Sequence, residues 1–260
     1  MARILVLGAG MVGSAMVRDL AKRHQVLSTD FSAAALAPLA TVANVTTQQL
    51  NCSDREAVQA AAKDVDAVVC AVPGHLGFAT LRSLIEAGKK VADISFFPEN
   101  ALELDALAKQ TGAVVVTDIG VAPGVDNLIL GHHDAQMDVK RFECLVGGLP
   151  IARSFPFQYK APFSPMDVVE EYLRPARIYE HGREVVKPAL SEPSYVDFAG
   201  IGTLEAFNRC RWRSGVTTGV HVEDPVRLVE AATRRSRTDR HEGHGRGPRA
   251  RPAATPHLPP

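Results

Sequence analysis

The 260-residue chain is long enough for one large domain or two smaller ones, and 46% of its residues are apolar. Its 29 Lys and Arg balance its 29 Asp and Glu, so the overall charge gives no reason to expect a nucleic-acid or membrane partner. No apolar run reaches the roughly 20 residues that span a bilayer, and the chain enters a predicted strand at once, so we expect neither a membrane span nor a signal peptide. The four cysteines are scattered without a C-x-x-C pair, a pattern typical of reduced thiols in the cytoplasm, and it predicts no metal site.

The first stretch of the chain has the pattern of a dinucleotide-binding βαβ unit. An apolar strand at residues 4–7 runs directly into a G-x-G-x-x-G sequence, and a helix is predicted from residue 14 to residue 22. The first glycine allows a tight turn, the second lets a pyrophosphate approach the backbone, and the third lets the helix pack close to the strand. Free N–H groups at the start of the helix favour phosphates. The predicted phosphate-binding residues are Gly8, Gly10, Met11, Val12 and Gly13.

An acidic residue at the end of the second predicted strand indicates which dinucleotide binds. The strand at residues 25–29 ends at Asp30, roughly 20 residues beyond the glycines, where the fingerprint places the carboxylate that binds a ribose. A carboxylate there repels the 2′-phosphate of NADP, and residues 31–34 supply no Arg or Lys to offset it. The sequence therefore predicts NAD as the cofactor rather than NADP.

The alternation of strands and helices continues over about 120 residues. Further strands are predicted at 42–50, 67–73, 91–94 and 113–117, and further helices at 55–63, 76–87 and 99–111 with Gly112 as the stop. This pattern predicts an α/β fold, a Rossmann doubly wound parallel sheet over residues 1–122, with ligands outside the carboxyl ends of the strands. The remaining predicted cofactor contacts follow the third and fourth strands and are Asn51, Ser53, Ala71, Val72 and Pro73. For the first two, simple capping of the next helix is the alternative.

From Gly120 onward the pattern becomes that of an α+β region over residues 123–208. A helix is predicted at 125–135, strands at 140–146 and 195–198, and a hairpin at 177–187 around His181-Gly182-Arg183. Ser164-Pro165-Met166-Asp167 has the pattern of a helix start with an acid, Asp167, in the first turn, ahead of a helix that ends at Leu173. We expect this region to form an open sheet that covers the mouth of the nucleotide site.

Seven ordered stretches carry a family resemblance. They are Ala71–Gly74, Val91–Phe96, Gly120–Gly124, Gly147–Pro150, Tyr159–Pro165, Ala189–Pro193 and Gly202–Asn208. In these stretches the chain resembles the saccharopine dehydrogenase-like family, which includes lysine 6-dehydrogenases. The resemblance implies NAD(P)-linked oxidation of a carbon–nitrogen bond in an amino acid, followed by hydrolysis of the imine. Ammonia leaves in a lysine 6-dehydrogenase and a second amino acid in a saccharopine dehydrogenase; the resemblance also implies a homodimer.

Such a reaction needs a base, a polar group that helps water add, and a cation for the α-carboxylate. The candidate catalytic residues are His75, Asp93, Asp118, Tyr159 and Lys160. For each acid the alternative is a helix cap or an ordinary loop acid. Lys160 is also a candidate ligand of the substrate carboxylate, as are Arg174 and Arg177. The pair His132-His133 lacks an acid partner, and we interpret it as structural.

The last stretch, residues 209–260, differs from the rest because it has eleven arginines and no lysine. We expect the resemblance to end at Asn208 and the chain to be disordered from about Thr233. One hypothesis is a basic arm for nucleic acid, although the stretch lacks a folded module. The hypothesis that we favour is a frameshift that replaced the family's ending and left the substrate domain incomplete. The alternative function is then a nucleotide-binding remnant without catalytic activity.

Overall fold

The computed structural model describes residues 1–152, 154, 159–160, 163–181 and 183–208, together with the backbone of 226–232. The first part of the chain alternates strands and helices. Its strands are β1 (Arg3–Leu7), β2 (Gln25–Asp30), β3 (Val45–Gln49), β4 (Ala67–Cys70), β5 (Lys90–Asp93) and β6 (Val114–Val116). Its helices are α1 (Met11–Leu20), α2 (Ala33–Leu36), α3 (Arg55–Ala62), α4 (Gly74–Glu86) and α5 (Asp105–Thr111), with a 3₁₀ turn at Ala101–Leu104.

These six strands form one sheet in the order β3-β2-β1-β4-β5-β6, and every pair in it is parallel. The predicted doubly wound sheet is therefore confirmed. The strand order reverses between β1 and β4, and ligands in such sheets bind outside the carboxyl ends of the strands at this point. The glycine-rich turn after β1 and the turn after β4 border this crevice.

Strand β1 shows why the sheet forms, because its side chains are buried on both faces. Leu5 and Leu7 pack with residues of α3 and α4, whereas Ile4 and Val6 pack with residues of α1 and α2. A strand covered by helices on both faces needs a continuous apolar run, which is the pattern of residues 4–7. Full burial of each such side chain contributes about 1.5–3 kcal/mol.

The second part of the chain forms a second six-stranded sheet with two helices. Its elements are α6 (Val125–Asp134), β7 (Phe142–Val146), α7 (Pro165–Leu173), β8 (Ala176–Glu180), β9 (Arg183–Lys187), β10 (Ser191–Phe198), β11 (Gly202–Asn208) and β12 (Val226–Ala232). The sheet order is β10-β11-β12-β8-β9, and β7 pairs with β12 in parallel. Ser164 caps α7 as predicted, since its side chain accepts from the N–H of Asp167.

Several predicted boundaries are wrong in detail. The helix predicted at 99–111 is divided into the 3₁₀ turn and α5, because the Asn100 side chain accepts from the Leu102 N–H and tightens the start. Helix α2 and strand β11 were not predicted, and β10 begins four residues before the predicted strand at 195–198. The hairpin residue Gly182 and the disorder expected from Thr233 lie outside the described residues. Over the described ranges, no helix has the length and apolar content needed to cross a membrane.

Candidate dinucleotide site and its mouth

The three fingerprint glycines have different surroundings in the turn after β1. Gly8 has a φ of 98°, and a Cβ on it would lie 2.4 Å from the Ala71 carbonyl oxygen. A Cβ on Gly13 would lie 2.0 Å from the Gly8 carbonyl oxygen. A Cβ on Gly10 would have no neighbour within 4 Å. The first and third glycines are therefore required by backbone packing, whereas the second faces open space. An open glycine at the start of α1 fits the predicted approach of a pyrophosphate.

Helix α1 begins at Met11, three residues earlier than predicted. The first-turn N–H groups of Met11, Val12 and Gly13 have no carbonyl partner within the helix, as at every helix start. Gly10 at the N-cap provides no side-chain hydrogen bond to them. These groups supply the partial positive charge that the sequence predicts for phosphate binding.

Asp30 holds the glycine-rich turn to the end of β2. Its Oδ2 accepts from the Ala9 N–H at 2.7 Å, and its Oδ1 accepts from the Ser32 N–H at 2.8 Å. The carboxylate is thereby fixed beside the turn that would hold the pyrophosphate. Its predicted contact with a ribose hydroxyl is compatible with this position and stays a prediction.

The predicted adenine-side residues lie in an exposed turn between β3 and α3. The Asn51 Oδ1 accepts from the Ser53 N–H at 3.0 Å. The cap of α3 is Asp54, whose carboxylate accepts from the Ala57 N–H at 3.1 Å. Neither Asn51 nor Ser53 is needed as the cap, so their role at the adenine stays a prediction.

The residues after β4 border the crevice on its other side. The Ala71 carbonyl oxygen lies against Gly8, Val72 is buried, and Pro73 occupies the N-cap position of α4. His75 follows in the first turn of α4 with its side chain exposed. The exposed position leaves the ring open to solvent, and the catalytic role of His75 stays a prediction.

Asp93 lies beneath the carboxyl edge of the sheet and is fully buried. Burial raises the pKa of its carboxyl to about 6, although the Ser95 hydroxyl and the Cys70 thiol lower it as hydrogen-bond donors. The nearby charge of Asp118 raises this pKa further. Because none of Asp93 is exposed, it does not face a substrate directly, and its role as a base stays a prediction.

Asp118 follows β6 at the same edge, where its backbone has the left-handed φ of 54°. The Ile119 N–H donates to the Asp93 carbonyl oxygen at 3.2 Å, which joins the ends of β5 and β6. Asp118 is only half-buried. Of the two candidate acids it is the more accessible.

The two arginines proposed for a substrate carboxylate both have protein partners. Arg174 Nη1 donates to the Phe96 carbonyl oxygen at 3.0 Å, and its Nε donates to Glu170 Oε2 at 3.0 Å. Arg177 Nη1 lies 3.5 Å from Glu184 Oε1 within the β8–β9 hairpin. These contacts compete with a substrate carboxylate, and the substrate-binding role of either arginine stays a prediction.

Tyr159 and Lys160 lie on the loop that follows β7. The Lys160 N–H donates to the Gly148 carbonyl oxygen at 3.0 Å, and a Cβ on Gly148 would lie 2.9 Å from Tyr159 Cε2. The Lys160 side chain is exposed. This close packing fixes the backbone from which Lys160 projects, while residues 155–158 and 161–162 lie outside the described part of the chain.

Asp167 makes a contact at the border of the crevice that sequence reasoning missed. Its Oδ1 lies 3.4 Å from the N–H of Gly74, at the start of α4. The sequence identified Asp167 only as an acid in the first turn of α7. Burial raises the pKa of the Asp167 carboxyl above its usual value, although the hydrogen bond from the Gly74 N–H and the nearby Arg174 guanidinium lower it.

Two remaining sequence predictions concern metal binding and the pair His132-His133. The described ranges contain no group of three or more His, Cys, Asp and Glu side chains that is arranged to hold a metal ion. His132 and His133 are exposed on α6 with ring centroids 5.3 Å apart. His132 contacts Gln136 one turn later on the same helix.

Two protein-family models match the chain. The saccharopine dehydrogenase NADP binding domain matches residues 4–116, and the saccharopine dehydrogenase C-terminal domain matches residues 120–228. The second match runs past Asn208 and ends inside β12. The expectation that the resemblance stops at Asn208 is therefore wrong.

Individual relatives agree with these matches. Saccharopine dehydrogenase [NADP(+), L-glutamate-forming] from Schizosaccharomyces pombe is 26% identical over 215 residues, which cover 75% of this chain and 48% of that protein. Alpha-aminoadipic semialdehyde synthase from Arabidopsis thaliana is 26% identical over 148 residues, covering 54% of this chain and 14% of that protein. The apo structure of the L-Glu-forming saccharopine dehydrogenase from Saccharomyces cerevisiae has a TM-score of 0.69 at 19% identity, covering 89% of this chain and 55% of that chain.

The chain thus spans about half the length of the S. pombe and S. cerevisiae proteins. The structural likeness supports the fold, and the two domain models match consecutive stretches of the sequence in the same order as the two sheets. The chain belongs to the saccharopine dehydrogenase family of oxidoreductases.

Proposed function

We propose that the chain is a nicotinamide-dependent oxidoreductase that acts on the carbon–nitrogen bond of an amino acid. The observation that carries this proposal is the open glycine at the switch point of the sheet, where Gly10 faces empty space between two glycines packed on backbone. The names of the relatives support a substrate from lysine metabolism, and saccharopine and lysine are the two candidates. When bound, a nicotinamide supplies the acceptor for the hydride that leaves the carbon bearing the nitrogen.

The chain's own residues have to bind the substrate and remove its proton. His75 is exposed after β4 and Asp118 is half-buried after β6, and in this proposal one of them takes the proton from the substrate amine. Asp93 lies below them and supports the same edge. Lys160 projects from the loop after β7 and is the exposed cation for the α-carboxylate, with Tyr159 packed beside it.

The proposed cofactor is NAD, although the relatives are named for NADP(+). Asp30 is held by two backbone N–H groups at the position where a 2′-phosphate would lie, and the phosphate would meet its negative charge. We expect NADH to bind about tenfold more tightly than NADPH, a difference of about 1.4 kcal/mol.

Fluorescence titrations with NADH and NADPH test this preference. Asp30→Asn should reduce the ratio of the two affinities several-fold, because it removes the charge and leaves one carbonyl acceptor. Asp66→Asn is the matched control, since the Asp66 carboxylate likewise accepts a backbone N–H, that of Arg3 at 2.7 Å, at the amino end of the strands. Equal affinities in the unsubstituted protein, or tighter binding of NADPH, would contradict the assignment.

Turnover is tested by following reduction of NAD and NADP with saccharopine and with L-lysine. Reduction with either amino acid supports the oxidoreductase, and the productive substrate distinguishes the saccharopine type from the lysine 6-dehydrogenase type. Binding of NADH without turnover favours the second candidate, a nucleotide-binding protein without this activity. The observation behind that candidate is that the chain covers 48% of the S. pombe relative. The expected homodimer and the cytoplasmic location stay predictions.

A further inference from the structure

The first turn of α4 lacks a cap of its own. This 13-residue helix begins after Pro73, which provides no side-chain hydrogen bond, and its first turn contains no acidic residue. The first N–H groups of a helix need acceptors from elsewhere. Asp167 supplies one, since its Oδ1 lies 3.4 Å from the Gly74 N–H. A helix of the nucleotide-binding unit is thus capped by a carboxylate of the second unit, 93 residues later in the chain.

Arg174, the residue that follows α7, makes a second contact. Its side chain donates a hydrogen bond, whereas that of Asp167 accepts one. Arg174 Nη1 donates to the Phe96 carbonyl oxygen at 3.0 Å, and its guanidinium carbon lies 4.6 Å from the centre of the Phe96 ring. Glu170 holds the guanidinium by accepting from Nε at 3.0 Å. Asp167 and Arg174 are seven residues apart and therefore lie on one side of the helical segment. One side of α7 supplies an acceptor to one loop and a donor to the next.

The two loops that α7 contacts are already packed on each other. A Cβ on Gly74 would lie 2.0 Å from the Phe96 carbonyl oxygen, and a Cβ on Gly77 would lie 2.6 Å from the Ser95 Oγ. The buried Phe97 ring contacts the Phe78 ring of α4, with centroids 5.6 Å apart. Displacement of the turn before α4 therefore requires displacement of the loop after β5, and α7 holds both. These loops form the border of the proposed cofactor crevice.

We propose that α7 is a clamp that couples dinucleotide binding to the seating of the second unit over the mouth, with Asp167 and Arg174 as its positioning residues. This inference rests on the proposed nicotinamide site. A dinucleotide in the crevice contacts the turn after β4, and the same turn presents the Gly74 N–H to Asp167. Because coupling between two binding events is reciprocal, a bound dinucleotide stabilises the clamp as much as the clamp stabilises the bound dinucleotide.

Hydrogen exchange measured by mass spectrometry, with and without NADH, tests the clamp in the full chain. The variants are Asp167→Ala, Asp167→Asn, which keeps one acceptor oxygen, and Arg174→Lys, which keeps the charge. Asp105→Ala is the matched control, because Asp105 is also a first-turn acid but is exposed and pairs with Lys109 of its own helix. Loss of a side-chain cap predicts about fivefold faster exchange in the first turn of α4 for Asp167→Ala. Asp167→Asn should have a smaller effect, and Asp105→Ala should leave α4 unchanged.

The coupling is tested by two further results. NADH should slow exchange of residues 165–173 in the unsubstituted protein but not in Asp167→Ala, and the dissociation constant for NADH should rise about fivefold in Asp167→Ala and in Arg174→Lys. A merely structural contact would leave the NADH-dependent protection of α7 in place. The clamp is refuted if α4 exchange and NADH affinity are unchanged in all three variants, or if NADH binds without protecting α7. If the unsubstituted protein binds neither NADH nor NADPH, the proposed function is refuted instead. The coupling is then refuted as well, even if the Asp167 substitutions still change the exchange of α4.

Discussion

The fingerprint glycines allow a direct separation of binding from folding. Gly10 and Gly13 belong to the same motif, yet a methyl group has opposite consequences at the two positions. At Gly10 it would enter open space, and the backbone φ of −68° and ψ of −167° suit alanine. At Gly13 it would lie 2.0 Å from the Gly8 carbonyl oxygen, which belongs to backbone and cannot rotate away. We therefore expect Gly10→Ala to affect the ligand and Gly13→Ala to affect the fold.

The magnitudes follow from these surroundings. For Gly13→Ala the overlap requires a backbone shift, and overpacking of this kind costs about 1–3 kcal/mol. In a chain of this size that corresponds to a fall in melting temperature of about 2–12 °C. For Gly10→Ala the poorer N-cap and the stiffer unfolded chain nearly cancel, so the free energy of unfolding should change by less than about 0.5 kcal/mol. Its methyl group occupies the proposed pyrophosphate position, and NADH affinity should fall at least about tenfold.

Urea unfolding followed by circular dichroism, together with NADH fluorescence titration, measures both quantities. Gly131→Ala on α6 is the control, because its Cβ also meets nothing within 4 Å but lies within a helix away from the crevice. It should stabilise the protein by about 0.5–1 kcal/mol and leave NADH affinity unchanged. The reasoning is refuted if Gly10→Ala binds NADH normally, or if Gly13→Ala is as stable as the unsubstituted protein.

Two further predictions concern buried charge. The pKa of Asp93 is raised by burial to about 6, so the folded chain holds this proton more tightly than the unfolded chain, and the group costs stability as the pH rises from about 4 to about 6. Urea unfolding gives the free energy of unfolding of Asp93→Asn minus that of the unsubstituted protein. This difference should increase by up to about 3 kcal/mol from pH 4 to pH 7, and an equal difference at both pH values would contradict the prediction. Lys187 is 13% exposed and lies 2.5 Å from Glu180 and 2.6 Å from Glu192, so Lys187→Met should cost about 1–3 kcal/mol by removing both ion pairs. The exposed Lys109→Met is its control and should cost less than about 0.5 kcal/mol in the same unfolding assay; similar losses for the two would show that the Lys187 pairs do not matter.

The sequence predicted the parallel sheet because its signals are local. Each buried strand is a continuous apolar run, and the glycines stand directly after the first of them, so no knowledge of distant contacts is needed. The left-handed residue Gly112, with φ of 71°, ends α5 for the same local reason. Helix α2 was missed because four residues are too few to show a helical period. Strand β11 was missed because its Gly-Thr-Leu-Glu-Ala-Phe-Asn sequence mixes polar and apolar residues, and its burial depends on the neighbouring strands.

Residues at the mouth of the site could be predicted only where they directly follow a strand in the sequence. His75 and Asp118 were predicted because the carboxyl ends of parallel strands form the ligand edge, and their catalytic roles stay predictions. The burial of Asp93 was not predictable, because a carboxylate just after a strand has the same pattern whether it faces solvent or lies beneath the edge. Asp167 was read as a simple helix-start acid. Its contact with Gly74 joins residues 93 positions apart, and no local pattern reports such a contact.

The position of β12 changes how the end of the chain is understood. Its backbone pairs with β11 on one side and with β7 on the other, and it meets β8 at Val226. Without β12, the backbone N–H and C=O groups of two further strands would lose these partners, which is costly for a sheet and exposes it to pairing with other chains. The C-terminal family model ends at residue 228, within this strand, so two independent observations connect it with the second unit. The backbone of residues 226–232 and the extent of the family model therefore connect this part of the arginine-rich stretch with the second unit, and the frameshift stays a hypothesis.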